Sequence, residues 1–178
     1  VATVMLVSAK EADAQQKFAH INSPQILQLM PEVKTATTTL QTFQKTKQDQ
    51  IDKMAGEAQT KYEAALAKQK TLSEANKEVV SKELQEMDNE LQELSKRIQD
   101  ARTKAEEEVA AKENELFTPI QKKATDAINA VAKEKGYAYV FDLAAAPGQT
   151  PTVIYWAGGE DITDLVKAKL GIPPTAKP

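Results

Sequence analysis

An unbroken heptad pattern between Val80 and Ala105 limits what this chain can fold into more than any other feature of its sequence. Apolar residues recur there at alternating steps of four and three. Such a repeat lines one side of an α-helix, where it packs against a partner helix. A similar spacing, interrupted near Lys47, runs through residues 33–72. The residues of this first series are Val33, Ala36, Leu40, Phe43, Ile51, Met54, Ala58, Tyr62, Ala65 and Leu72. We therefore predict helix, without strands, from about residue 24 to residue 132.

The two apolar series are separated by residues 71–78, which contain Ser73 and Asn76. Both side chains compete with helical hydrogen bonding, so we place a chain reversal at this segment. Folding there brings together positions whose numbers sum to about 150, such as Tyr62 with Met87, in an antiparallel hairpin. At ~1.5 Å per residue, arms of about forty residues extend roughly 60 Å.

We assign the hairpin to residues 31–119 and predict that three of its residues act as hinges. Pro31 and Pro119 are equally far from the chain reversal and should therefore face each other. Proline inside a helix removes a backbone hydrogen bond and kinks the helix. Gly56 interrupts the first helix at a cost of about 1 kcal/mol relative to alanine.

The residues on either side of the hairpin change to a strand period. Short strands are predicted at residues 17–23, 137–143 and 152–156, because aromatic and branched residues lie between turn-forming segments. Ser23 and Pro24 form the expected start of the first helix. A terminal helix begins at Asp161 or Thr163 and ends at Gly171. Residues 15–30 and 120–172 are thus predicted to form a β-rich body, and residues 173–178 a disordered tail.

This body is too small to bury a core well, and its sheet edges invite pairing with another chain. We therefore expect a homo-oligomer, whose number of copies the argument does not fix. The residues expected in the oligomerisation body are Phe18, Ile21, Val140, Phe141, Ile154 and Tyr155.

The first fourteen residues combine a short apolar run with the small-x-small triplet Ala12-Asp13-Ala14. This pattern is typical of the apolar region and cleavage site of a secretory signal. A signal-peptide remnant, which implies export, and a disordered leader are the two interpretations of residues 1–14.

Residues for catalysis or metal binding do not form a recognisable set in this sequence. Cysteine is absent, and His20 is the single histidine, so we predict no metal site and assign His20 a structural role on a strand face. No phosphate-binding glycine motif occurs, and the net charge of −3 does not fit a nucleic-acid binder. We expect no enzyme activity and no cofactor.

The order of these elements resembles the Skp/OmpH family of periplasmic chaperones over residues 17–172. The most specific segments are Lys17-Phe-Ala-His-Ile-Asn-Ser23, Lys133-Glu-Lys-Gly-Tyr-Ala-Tyr-Val-Phe-Asp142 and Glu160-Asp-Ile-Thr163. The resemblance implies an α+β homotrimer in which the strands of all three subunits build a small β-barrel body. It also implies helical hairpin tentacles that hold unfolded outer-membrane proteins in a cavity without nucleotide.

The arms of this chain carry slightly more Asp and Glu than Lys and Arg, whereas the best-known family member is strongly basic. We therefore do not infer a lipopolysaccharide site from the resemblance, and the sequence does not decide whether the protein contacts a membrane surface. Apolar residues of the distal arms are candidates for client binding, with packing in the seam as the alternative for most of them. The candidates are Met54, Leu66, Leu84, Met87 and Leu91.

A structural coiled-coil adaptor of an envelope complex is the second functional hypothesis. It would dock its hairpin on one folded partner, whereas a chaperone would select unfolded chains.

Overall fold

The computed structural model of this protein describes residues 16–144, 153, 155–173 and 175–176. The elements in chain order are β1 Phe18–Ile21, α1 Ser23–Leu29, α2 Pro31–Gln69, α3 Lys77–Lys135, β2 Tyr139–Asp142, β3 Glu160–Asp161 and α4 Thr163–Lys169. Two long helices and one small sheet confirm the predicted α+β class. Residues 31–120 form one compact unit, and the remaining described residues form another, called here the sheet unit.

The sheet unit is organised around β1, which lies between β2 and β3 and pairs with both in parallel. Phe18 is registered with Tyr139, and His20 with both Phe141 and Asp161. Parallel neighbours need a long connection between them. The residues that build the helices provide that connection between β1 and β2.

The predicted strand at residues 152–156 is wrong for the described part of that segment, because Val153, Tyr155 and Trp156 belong to no strand. Ile154 lies outside the described residues. The third strand is instead β3, and the terminal helix begins at Thr163, the second of the two starts predicted for it. Gly159, with φ of +90°, permits this approach, since an added Cβ would lie 3.2 Å from the Phe18 carbonyl oxygen.

The core of the sheet unit forms on one side of β1. Ala19 and Ile21 point to this side and are almost completely buried, as strand alternation requires. Apolar residues of α1, of the end of α3, of α4 and of the adjacent segments are also buried in this unit. These residues are Ile26, Met30, Ala124, Ala127, Val131, Ile162, Val166 and Ile172.

The helix predicted to start at Pro24 is two helices, because the chain leaves the helical conformation at Met30, which has φ of −74° and ψ of 122°. A residue that precedes proline is disfavoured in the helical region, and Pro31 then occupies the first position of α2. The N-cap of α1 is also one residue earlier than expected. Asn22 caps it, with its Oδ1 accepting a hydrogen bond from Gln25 N at 3.2 Å.

The unit formed by residues 31–120 reverses direction between α2 and α3. Asn76 organises the reversal, since its Oδ1 accepts a hydrogen bond from Ser73 N at 2.7 Å and its Nδ2 donates one to Thr71 O at 2.9 Å. Its own carbonyl accepts the hydrogen bond from Val80 N at 2.9 Å, near the start of α3. The side chain that interrupts the helix thus also closes the turn.

The predicted seam on α3 is confirmed. No residue of its heptad series is exposed, and every residue between them is exposed except Glu83. The series is Val80, Leu84, Met87, Leu91, Leu94, Ile98, Ala101 and Ala105. Ion pairs across the seam join Lys61 to Glu90 and Lys68 to Glu83, so the numbers of facing residues sum to 151, close to the predicted register.

On α2 the seam is less regular, since Tyr62 and Leu72, both assigned to it, are exposed. Leu72 follows the end of α2 at Gln69 and therefore no longer follows the helical period. Tyr62 is 51% exposed, which fits a side chain whose polar end is favoured in water.

Gly56→Ala is expected to raise the free energy of unfolding of the hairpin by about 0.5–1 kcal/mol. Gly56 lies inside α2, and a Cβ built on it meets no heavy atom within 4 Å. The methyl group therefore costs no clash and removes conformational freedom from the unfolded chain. Thermal unfolding followed by circular dichroism measures the change. A lower melting temperature would show that the glycine is required by the folded helix.

Candidate functional site

The side of the sheet opposite the core carries an exposed group of aromatic residues. We call it the aromatic face and define it as Phe18, His20, Tyr139, Phe141, Tyr155 and Trp156. The rings of Phe18 and Tyr139 stack with centroids 5.8 Å apart, and Phe141 lies 6.2 Å from Phe18. The five aromatic residues other than His20 are all between 43% and 81% exposed. Monomeric proteins seldom leave such a contiguous apolar surface in water.

Strand register explains why these rings meet. Phe18 and His20 alternate with the buried Ala19 and Ile21, so they point away from the core. Their registered partners on β2 are Tyr139 and Phe141, which share this side of the sheet. The alternation of residues within one strand can be predicted from the sequence, whereas the strand that will pair with it cannot.

A groove of about 350 Å³ crosses the aromatic face. His20 lies in its wall, with its ring 6.3 Å from that of Trp156. Its Nδ1 is buried without a hydrogen-bond partner. The residues that line the groove are Phe18, Ala19, His20, Phe141, Leu143, Val153, Tyr155, Trp156, Gly158 and Gly159.

The six residues expected in the oligomerisation body do not share one surface. Phe18, Phe141 and Tyr155 belong to the aromatic face, whereas Ile21 is buried in the core on the other side. Val140 is half-buried, and Ile154 lies outside the described residues. The sequence prediction missed Tyr139 and Trp156, although the position of Tyr139 two residues before Phe141 would have indicated the shared face.

Polar contacts fix the ends of the strands around this face. Asp142 accepts hydrogen bonds from Ser23 N at 3.2 Å and from Ala144 N at 3.1 Å, as expected of a strand-end carboxylate. The Tyr137 hydroxyl donates a hydrogen bond to the carboxylate of Glu160, which raises the pKa of Tyr137 to about 12.

Asp161 connects β3 to α4, since its Oδ1 accepts a hydrogen bond from Thr163 N at 2.9 Å. Burial by itself would raise the pKa of the Asp161 carboxyl. The hydrogen bonds from Thr163, together with the charges of His20 and Lys167, have a larger and opposite effect, so the pKa of Asp161 is lower than its ordinary value. The ionised form is therefore the one that the fold stabilises.

Asp161→Ala is expected to lower the free energy of unfolding of the sheet unit by about 1 kcal/mol near neutral pH, because the acceptor of the hydrogen bond from Thr163 N at the start of α4 is lost. Since the pKa of Asp161 is lowered by folding, its contribution is present above the unfolded value of about 3.9 and disappears as pH falls through the folded value. Urea unfolding between pH 7 and pH 3 measures both effects. Asp161→Asn, which keeps an acceptor oxygen, is the control that should retain most of the stability and lose the dependence on pH.

The client-binding candidates on the hairpin separate into two groups. Met54, Leu84, Met87 and Leu91 are half-buried in the seam, while Leu66 is 40% exposed. Three further apolar residues near the reversal are exposed, and they were not among the candidates. We call the exposed set the distal apolar residues: Tyr62, Leu66, Leu72 and Val79.

The charge on this hairpin is mixed and slightly acidic. Residues 31–120 contain 14 Lys and Arg against 18 Asp and Glu, which gives a net charge of −4. Within the described chain, no group of three or more His, Cys, Asp or Glu residues is placed to hold a metal ion. None of the described helices is long and apolar enough to cross a bilayer.

Comparison with known proteins identifies the arrangement. The family described as outer membrane protein (OmpH-like) matches residues 17–170, from just before β1 to the end of α4. This chain belongs to that family. A relative, the chaperone protein Skp of Vibrio cholerae serotype O1, is 26% identical over 137 residues, which cover 77% of each chain. The family match therefore includes both the aromatic face and the hairpin.

Proposed function

We propose that this OmpH-like protein is an ATP-independent holdase chaperone of the periplasm that binds unfolded outer-membrane proteins and delivers them to the outer membrane. The observation that carries the proposal is the family match over residues 17–170, together with a relative named as a chaperone. The protein acts by binding alone, without cofactor or catalysis.

The first element of the proposal is a homotrimer that buries the aromatic face. Support comes from the exposure of five large aromatic side chains on one side of a three-stranded sheet. Burial of a large aromatic residue contributes about 1.5–3 kcal/mol from its apolar area. Several such residues from each copy supply enough free energy for a stable assembly, which in the proposal closes as a small β-barrel.

The second element is a cavity between the helical hairpins of the three copies. In it, clients contact the distal apolar residues and such seam residues as become accessible. Each contact is weak, but contacts made by several arms on one client add through effective concentration. Weak, exchanging contacts prevent aggregation without imposing a structure on the client.

The test is suppression of aggregation. An outer-membrane barrel protein denatured in urea is diluted into buffer with and without this protein, and light scattering follows aggregation. We expect suppression at about one assembly per client, unchanged by removal of nucleotide. An equal mass of a soluble protein of similar charge is the control. Continued aggregation at every ratio would contradict the proposal.

A structural adaptor in an envelope complex is the alternative that the long hairpin also supports. The adaptor would form a stable complex with one folded protein and would show no preference for unfolded chains. Competition between a denatured and a folded form of the same barrel protein separates the two functions. The holdase should retain the denatured form selectively.

A further inference from the structure

Methionine supplies all the sulfur of this chain, and the described methionines differ in burial. The sequence has no cysteine and four methionines, of which Met5 lies outside the described residues. Met30 is 2% exposed in the core of the sheet unit, whereas Met54 and Met87 are half-buried on the hairpin. Oxidation of methionine to the sulfoxide needs contact between the sulfur and the oxidant. Met54 and Met87 are therefore open to oxidation, and Met30 is protected.

Met87 occupies a layer of the seam that two ion pairs enclose. Glu83 precedes Met87 by four residues on α3 and Glu90 follows it by three, so both lie next to it on the same side of the helix. Glu83 forms an ion pair with Lys68 of α2, and Glu90 forms one with Lys61. The thioether thus lies in a layer between two charged ones.

The residues opposite Met87 offer no hydrogen bond to a polar group. The ion pairs set a register in which the numbers of facing residues sum to 151, so Met87 faces Ala64 and the adjacent Ala65. A sulfoxide oxygen is a hydrogen-bond acceptor, and the side-chain donors next to this layer of the seam are the two lysines already paired with Glu83 and Glu90. Hydration of the oxygen requires the side chain to turn out of the seam.

Met54 lies in a different environment on α2. It lines a groove of about 190 Å³ together with Lys47, Gln50 and Lys104, each of which carries N–H donors. A sulfoxide at Met54 can accept a hydrogen bond there without leaving its position. Oxidation at Met54 and at Met87 should therefore have different effects on the hairpin, although both side chains are half-buried.

We propose that Met87 is an oxidation site whose sulfoxide opens the adjoining layer of the seam and uncovers Leu84 and Leu91 to clients. These two leucines are its half-buried neighbours in the heptad series. A polar group in place of the thioether lowers the free energy of local opening. The gain in client binding rests on the proposed holdase function, whereas the oxidation and the opening of the seam do not.

The modification is a transfer of one oxygen atom from a peroxide to the Met87 sulfur. With hydrogen peroxide, the O–O bond breaks and an S–O bond forms. The sulfur is oxidised by two electrons, the peroxide is reduced, and one water molecule leaves with both peroxide protons.

Peroxide treatment of the full-length protein tests the proposal. Peptide mass spectrometry should find Met54 and Met87 oxidised at least about tenfold faster than Met30. The melting temperature of the helical signal should then fall by about 4 °C. Capture of a urea-denatured barrel protein should rise several-fold at low chaperone concentration. Treatment with a methionine sulfoxide reductase and dithiothreitol, whose thiols supply the electrons, should reverse both changes.

Met87→Leu and Met54→Leu are the matched pair of variants, since leucine nearly conserves the volume and carries no sulfur. Met87→Leu should lose the response of melting and capture to peroxide, and Met54→Leu should keep it. Met87→Gln, which places a polar amide in the seam, should show the lower melting temperature without peroxide.

Three results would overturn the assignment. The first is oxidation of Met87 no faster than that of Met30, and the second is a peroxide response that Met87→Leu retains. The third is a lower melting temperature with unchanged capture by a protein that suppresses aggregation when untreated, because the seam leucines would then not be uncovered to clients. If neither treated nor untreated protein captures clients, the holdase function fails, while the melting change still tests Met87.

Discussion

Phe141→Glu is expected to convert the proposed homotrimer into single chains that remain folded. Phe141 is 43% exposed and stacks between neighbours of the aromatic face, 6.2 Å from Phe18 and 6.3 Å from Tyr139. A carboxylate at this position must stay hydrated, and burying it in an apolar interface without a partner costs several kcal/mol. The core on the other side of the sheet is untouched, so each chain keeps its fold.

Light scattering coupled to size exclusion measures this change as a fall in mass from the assembly to one chain of 19.5 kDa. Trp156, the only tryptophan, lies on the aromatic face and should show a red-shifted emission when that face becomes hydrated. Ser95→Glu, an exposed site on α3, is the control and should leave the mass unchanged. A Phe141→Glu protein that keeps the mass of the wild type would place the interface elsewhere.

Leu94→Ala is the second substitution with a large expected effect. Leu94 is 3% exposed in the seam of α3 and is the most buried residue of the hairpin. Truncation of a buried leucine removes its transfer free energy and leaves a cavity, with a loss of about 2–4 kcal/mol. The melting temperature of the helical signal should fall by about 5–10 °C. Far-ultraviolet circular dichroism measures it directly.

Leu66→Ala removes the same atoms from an exposed position and is therefore the matched control. Its effect on melting should be within about 0.5 kcal/mol, as for most surface substitutions. In the aggregation assay, Leu66→Ala should lower client capture several-fold at low chaperone concentration, since Leu66 is one of the distal apolar residues. Equal destabilisation by the two substitutions would contradict the described seam. Unchanged capture by Leu66→Ala would remove Leu66 from the client-binding set.

The seam on α3 was predictable because it depends on local geometry. A helix turns by a fixed amount per residue, so the spacing of Val80, Leu94 and Ala105 alone determines that they share a side. The turn at Asn76 was predictable for a similar reason, since a short polar side chain satisfies the backbone of its own neighbourhood. The strands at Phe18–Ile21 and Tyr139–Asp142 also follow from composition and alternation.

The local pattern of residues was therefore enough to predict the two long helices, the position of the reversal and the apolar side of α3. Only the folded structure shows that β3 forms the third strand in place of the one expected at 152–156, that Tyr139 and Trp156 join the aromatic face, and that Tyr62, assigned to the seam, is exposed. The physical reason is the range of the interactions. Helix periodicity is set within a few residues, whereas strand pairing and burial depend on residues more than a hundred positions apart, as in the pairing of Phe18 with Tyr139.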